Sequence, residues 1–148
     1  GDPSLYKLPH PHVDGSVYDF SFSGLKTAVV NIIHNSKQKG TEISIPDLGA
    51  SCIETVADCL VNNTVRAAEE FGYNKIALAG GVSANSRLRK RMTDVCNQKG
   101  WELYMPDLSL CGDNAAMVGA QAFYEFKNGN LASLDLNAFA TMPIDDLN

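Results

Sequence analysis

The stretch Lys75-Ile-Ala-Leu-Ala-Gly-Gly-Val-Ser-Ala-Asn-Ser-Arg-Leu-Arg-Lys-Arg91 decides the fold class. An apolar run opens it, Gly80 and Gly81 follow, and Ser83 or Asn85 then begins a basic helical pattern. This is the order of a buried strand, a tight turn and a helix N-terminus. Glycine permits positive φ and lets a ligand approach the main chain closely. A helix start presents unpaired N–H groups and a partial positive charge, which suits a phosphate or an adenosine-type ligand. The same spacing is met by a helix cap beside a turn in any α/β protein, so the pattern alone leaves both readings open.

Upstream, Pro46-Asp47 opens a long helical pattern that Gly72 closes, with Asp47 as first-turn acid or cap. Ile53, Val56, Leu60, Ala67 and Phe71 mark a wide apolar face along it, and Cys52 and Cys59 join that face as core packing. Leu25 to Ile33 carries helical spacing and runs out at Gln38-Lys-Gly-Thr41. Before it, Tyr18-Asp-Phe-Ser-Phe-Ser23 alternates aromatic and polar residues with the period of a half-buried strand. Residues 1–17 read as an irregular lead-in, the beginning of a chain cut at a domain seam.

Downstream, a helix from Ser83 to about Gln98 stops at Gly100, and Trp101 to Met105 alternates as a further strand. Cys111-Gly-Asp-Asn114 starts an alanine-rich helix finished by Asn128-Gly129. Residues 131–148 form a tail with a short strand over Leu134 to Phe139. Strand, helix, helix, strand, helix, strand, helix is the order of α/β layering, a mostly parallel sheet covered by helices in a single domain over 1–148. Ligands in such sheets sit outside the carboxyl ends of strands, where Gly80-Gly81 and Asp113 both fall.

Composition narrows the classes. The 148 residues are 45% hydrophobic and 20% charged, with a formal net charge of -5, which describes a globular chain without a polybasic membrane patch. No apolar run reaches the roughly 18 residues of a membrane span. Cys52, Cys59, Cys96 and Cys111 show no C-x-x-C spacing and read as free buried thiols in a reducing compartment, hence the cytoplasm. His10-Pro-His12 lacks a third metal ligand nearby and reads as exposed loop. Arg87, Arg89, Lys90, Arg91 and Lys99 make their helix the most basic element, either a contact for RNA phosphates or a solvated outer face.

Three blocks carry a resemblance. Tyr18-Asp-Phe-Ser-Phe-Ser-Gly-Leu-Lys-Thr27, Ala79-Gly-Gly-Val-Ser-Ala-Asn85 and Cys111-Gly-Asp-Asn-Ala-Ala-Met117 resemble, in order, signature blocks of the Gcp/TsaD family. These are tRNA adenosine threonylcarbamoyltransferases, long catalogued as O-sialoglycoprotein endopeptidases. The resemblance implies the actin-like ATPase fold, in which two related α/β domains clasp a nucleotide, and covers the carboxyl-terminal domain of that pair. It implies that Asn85 contacts the nucleotide or adenylate, that Gly80 and Gly81 let the main chain approach it, and that Ser83 belongs with them to the nucleotide- or substrate-binding set. For Asp113 it implies ligation of one divalent metal, iron or zinc, where residue type alone reads equally as a helix N-cap. The family's paired histidine ligands belong to the amino-terminal domain.

Departures from the family pattern stand beside these matches. Gly1-Asp-Pro-Ser-Leu-Tyr6 occupies the place of Gly-Gly-Pro-x-Ile-Asp, losing a glycine and an acid that help hold the ligand. Gly112 stands for a usual threonine, and Ala138-Phe-Ala-Thr-Met-Pro143 for a basic, tryptophan-containing segment. The activity implied is transfer of a threonylcarbamoyl group from its adenylate to the adenine beside the tRNA anticodon. Implied ligands are ATP or threonylcarbamoyl-adenylate. Implied partners are the missing amino-terminal domain, tRNA, and the adenylate synthase with accessory proteins of the modification complex, with no membrane. Catalytic residues are not assigned; Lys26 and Ser23 are the nearest candidates for a base. A metal-dependent endopeptidase and a non-catalytic scaffold half are the alternatives.

Overall fold

Ser44, Asn85 and Asn114 cap the starts of three of the four long helices, while the first begins after Phe22 without a side-chain cap. The computed structural model describes residues 1–138, 140 and 141. In it α1 spans Ser23–Lys39, α2 Ile45–Phe71, α3 Ser86–Lys99 and α4 Ala115–Lys127, with strands β1 at Lys75–Ala77 and β2 at Glu102–Tyr104. Ser44 caps α2 by accepting from the Asp47 N–H at 3.4 Å, and Pro46 sits in the first turn, where its missing N–H costs nothing. Gly40, Gly72 and Gly100 close α1, α2 and α3 in the left-handed region. Asp47 is a first-turn acid and also accepts the Asp2 N–H at 2.6 Å.

The backbone divides into two compact units, Gly1–Cys111 and Gly112–Asn148. In the first, β1 and β2 pair in parallel, Ile76 opposite Leu103, with α3 as the crossover between them. One buried cluster joins Val61 and Ala68 of α2, Ile76 of β1, and Leu88, Met92 and Cys96 of α3. The α/β class and the parallel pairing are therefore present, in a sheet of two strands among the described residues. The second unit holds α4, whose Met117, Val118, Phe123, Tyr124 and Phe126 are all exposed. No helix among the described residues is long and apolar enough to cross a membrane.

Three expectations are corrected. Tyr18 to Ser23 forms no strand. The carbonyls that a ladder would use go to α2 side chains: Asn63 Nδ2 donates to Tyr18 O at 3.1 Å, and Arg66 Nη1 to Val17 O at 3.3 Å. Its aromatic residues make ring contacts, Phe20 with Phe22 and Tyr18 with Phe71, although Phe20 and Phe71 stay exposed. Along α2, Ile53 and Phe71 are exposed, and the buried positions are Leu48, Ser51, Thr55 and Cys59 together with Ala57, Val61 and Ala68. The helix is covered on two sides, because the lead-in lies across it: the Tyr6 N–H donates to Ser51 Oγ and the Ser44 N–H to Tyr6 Oη, both at 3.2 Å. Leu134 to Ala138 forms no strand, and Phe139 lies outside the described residues.

The four cysteines are free; Cys59, Cys96 and Cys111 are buried, while Cys52 is partly exposed. Burial pushes the Cys59 and Cys96 thiols up, as inert core residues require. Helix α3 is fastened to α2 by charge. Glu54 accepts from Arg87 Nε at 2.5 Å, Arg87 Nη2 at 2.8 Å and Arg91 Nη1 at 2.6 Å, and Arg91 also pairs with Asp58. The Arg87 hydrogen bonds, assisted by Arg91, hold the Glu54 carboxyl down from its ordinary 4.5 to about 2. Its side chain is only 20% exposed, so solvent screens the pair incompletely.

A depressed carboxylate pKa stabilises the fold above the unfolded value and stops doing so as pH falls through the folded one. Glu54 should therefore contribute roughly 2–3 kcal/mol near neutrality, lost between about pH 4.5 and pH 2. Glu54→Gln should melt lower than the parent at pH 7 and converge with it near pH 2; equal melting at pH 7 would remove this link between α2 and α3.

Candidate functional site

Gly80 turns the chain out of β1 with φ 83 and ψ 170, a conformation essentially restricted to glycine. A short 3-10 turn, Gly81–Ala84, follows, and α3 starts after Asn85. Ser83 is buried, and its hydroxyl donates to the Gly80 carbonyl at 2.6 Å. Its part is to close the turn, and its hydroxyl is not presented to solvent. Gly81 has an ordinary φ, and a Cβ built there meets nothing within 4 Å.

Asn85 is the N-cap of α3. Its Oδ1 accepts from the Arg87 and Leu88 N–H groups, both at 3.0 Å. The amide orientation follows from those two donors, because only oxygen can accept them. The idea that this amide both donates to and accepts from a ligand is thereby narrowed: oxygen is committed to the helix, and Nδ2 is left as donor. The helix start falls at Ser86, later than the Ser83 that periodicity indicates, because the 3-10 turn intervenes.

Asn85 borders a hollow of about 340 Å³ lined by Gly1 and Pro3 of the lead-in, Ala50, Ile53 and Glu54 of α2, and Ser86 and Arg87 of α3. Ile53 and Asn85 also border a smaller, mostly apolar space of about 100 Å³ with Val56 and Val82. The exposed Ile53 is thus a wall of these spaces. Gly1 lies so close to α2 that a Cβ would sit 2.1 Å from the Pro46 carbonyl oxygen. The departures in the lead-in have local work: Asp2 Oδ1 accepts from the Ser4 N–H and hydroxyl, and Tyr6 takes the Ser44 N–H.

Sequence reasoning missed Arg89. Its Nη1 donates to Ser83 O at 3.1 Å and its Nη2 to Pro106 O at 2.9 Å, with Cys111 Sγ at 3.7 Å from Nη1. One guanidinium therefore ties the turn after β1 to the loop after β2. The other cations of α3 are also engaged: Arg87 and Arg91 with Glu54, Lys90 with Asp94, and Lys99 with Glu69. Arg87, Lys90 and Lys99 are exposed, so this is a solvated face, and its charges are also paired with acidic side chains of the fold.

Gly80, Gly81, Ser83 and Asn85 thus share one turn in the first unit. Asp113 belongs to the second unit, exposed just before the α4 N-cap. That cap is Asn114, whose Oδ1 accepts the Met117 N–H at 2.9 Å, so the N-cap reading of Asp113 gives way and its carboxylate is not spent on the helix. Among the described residues no three His, Cys, Asp or Glu side chains come together as a metal site. His12 contacts Asp14 at 3.3 Å, and both are exposed.

Gly80→Ala should cost about 1–3 kcal/mol through backbone strain, whereas Gly81→Ala should melt as the parent does. Equal effects of the two in thermal unfolding would contradict the distinct conformations. Arg89→Ala should expose the Cys111 thiol to labelling reagents, and unchanged labelling would show that the clamp is dispensable.

Comparison with known proteins bears on this turn. The family model described as TsaD: tRNA N6-adenosine threonylcarbamoyltransferase matches residues 1–120. A Bacillus cereus protein named tRNA N6-adenosine threonylcarbamoyltransferase is 47% identical over 146 residues, covering 98% of this chain and 42% of the relative. Proteins of the same name from Clostridium botulinum and Bacillus anthracis are 41% and 45% identical, covering 99% and 98% of this chain and 43% and 42% of their own lengths. The chain spans about two-fifths of the length of these curated relatives. With the match running through the glycine turn, Asn85 and Asp113, the chain belongs to the TsaD family of tRNA N6-adenosine threonylcarbamoyltransferases.

Proposed function

We propose that this chain is the carboxyl-terminal, nucleotide-holding part of a cytoplasmic tRNA N6-adenosine threonylcarbamoyltransferase with the actin-like fold. The carrying observation is the division of the Asn85 amide beside the hollow: oxygen holds α3, and Nδ2 remains for the adenine nucleotide or threonylcarbamoyl-adenylate. Gly80 and Gly81 let the main chain approach that ligand. In the complete enzyme the exocyclic amine of the tRNA adenine attacks the carbamoyl carbon. A C–N bond forms, the bond from that carbon to the phosphate oxygen breaks, AMP leaves with the electron pair, and the amine proton passes to a base.

Asp113 is exposed and not consumed by capping, which fits an oxygen ligand for a divalent iron or zinc ion completed by side chains of the rest of the protein. Such an ion would polarise the carbonyl or hold the adenylate phosphate. The part of the relatives' length not spanned here supplies the remaining ligands, and the adenylate synthase, accessory proteins and tRNA are the partners.

The isolated chain should show no turnover and no micromolar ATP affinity by calorimetry. Joined to the amino-terminal remainder of the Bacillus cereus relative, it should transfer threonylcarbamoyl to tRNA. In that joined protein Asn85→Asp keeps an N-cap of similar strength and removes the donor. Melting should stay unchanged while transfer falls by about tenfold or more, as loss of a ligand hydrogen bond near the reacting group predicts. Full transfer by the Asp variant would sink the assignment.

A further inference from the structure

Arg87 borders the same hollow, and the family resemblance gives it no role. Its guanidinium is held from one edge: Nε and Nη2 donate to the two oxygens of Glu54, and Nη1 has no hydrogen bond. Glu54 is engaged on both oxygens, and Oε1 also accepts from Arg91, which pairs with Asp58 in turn. Two carboxylates and two guanidiniums balance, so this wall offers little net charge to a phosphate. What it does offer is a planar group in a fixed orientation with N–H donors left over. Asn85 adds a second donor through Nδ2, and Pro3, Ala50 and Ile53 supply apolar wall. A neutral, flat, acceptor-rich group suits these surroundings better than an anion does.

We propose that Arg87 is a specificity-determining residue that reads the adenine base of the bound nucleotide, through Nη1 and the guanidinium face, and does not bind its phosphate. The inference rests on the hollow being the nucleotide site. The Glu54 fork is what makes an arginine necessary: lysine would carry the charge but neither the plane nor the paired geometry.

The test is a titration of the isotope-labelled chain joined to the amino-terminal remainder of the Bacillus cereus relative, followed by NMR of the Asn85 side-chain amide and the Arg87 Nε–H. Adenosine and inorganic phosphate are added separately to about 10 mM, enough to saturate a millimolar site. Adenosine should shift both signals and phosphate neither. Arg87→Lys and Arg87→Met should each weaken adenosine binding by about five- to tenfold, the size of one hydrogen bond, with signal changes in the free protein confined to the neighbourhood of Glu54 and Arg91. Adenosine binding that is unaltered in both variants, or phosphate shifting Arg87 as adenosine does, would overturn the role of Arg87 and leave the hollow as the nucleotide site. No response of Asn85 to adenosine in the joined parent protein would reject the nucleotide site itself, and the inference with it.

Discussion

Two backbone N–H groups at the start of α3 have no intrahelical acceptor, and the Asn85 oxygen supplies one to both. The rest of the site follows from that constraint. An amide that must point its oxygen along the helix axis has its nitrogen fixed as well. A residue type suited to capping is thereby made a directional donor beside a hollow without any further device. Aspartate would cap as well but could not donate, and serine would cap without the second nitrogen.

Holding this cap in place takes a wider frame. Gly80 supplies the conformation that brings the chain from β1 into the turn, and the Ser83 hydroxyl closes it onto the Gly80 carbonyl. Arg89 then reaches from α3 to Ser83 on one side and Pro106 on the other. Glu54 draws Arg87 and Arg91 onto α2, fixing the opposite wall. The carboxyl ends of β1 and β2 are thus rigidly connected although each strand is only three residues long. Side-chain hydrogen bonds to backbone carbonyls supply here what a wider sheet would supply through its ladder.

Much of this was legible in the sequence where the cause is local. Gly40, Gly72 and Gly100 close their helices as composition indicates, and the strand, turn and helix around Gly80 stand where the pattern places them. Long-range pairings were not legible. Nothing near Arg87 shows that Glu54, 33 positions earlier, waits for it. The alternation at Tyr18, Phe20 and Phe22 has the strand period, yet ring contacts and the Asn63 and Arg66 side chains satisfy that segment without a ladder. Of the site, the turn and Asn85 were legible by residue type and resemblance. The commitment of Ser83 to the turn, the clamp by Arg89 and the Asn114 cap that leaves Asp113 uncommitted needed coordinates.

The most direct measurement is a crystal structure of this chain joined to the amino-terminal part of the family with an adenine nucleotide bound. The account predicts that Asn85 Oδ1 stays on the Arg87 and Leu88 N–H groups while Nδ2 donates to the nucleotide. An amide rotated so that its oxygen faces the ligand, or a nucleotide seated away from the hollow, would contradict it.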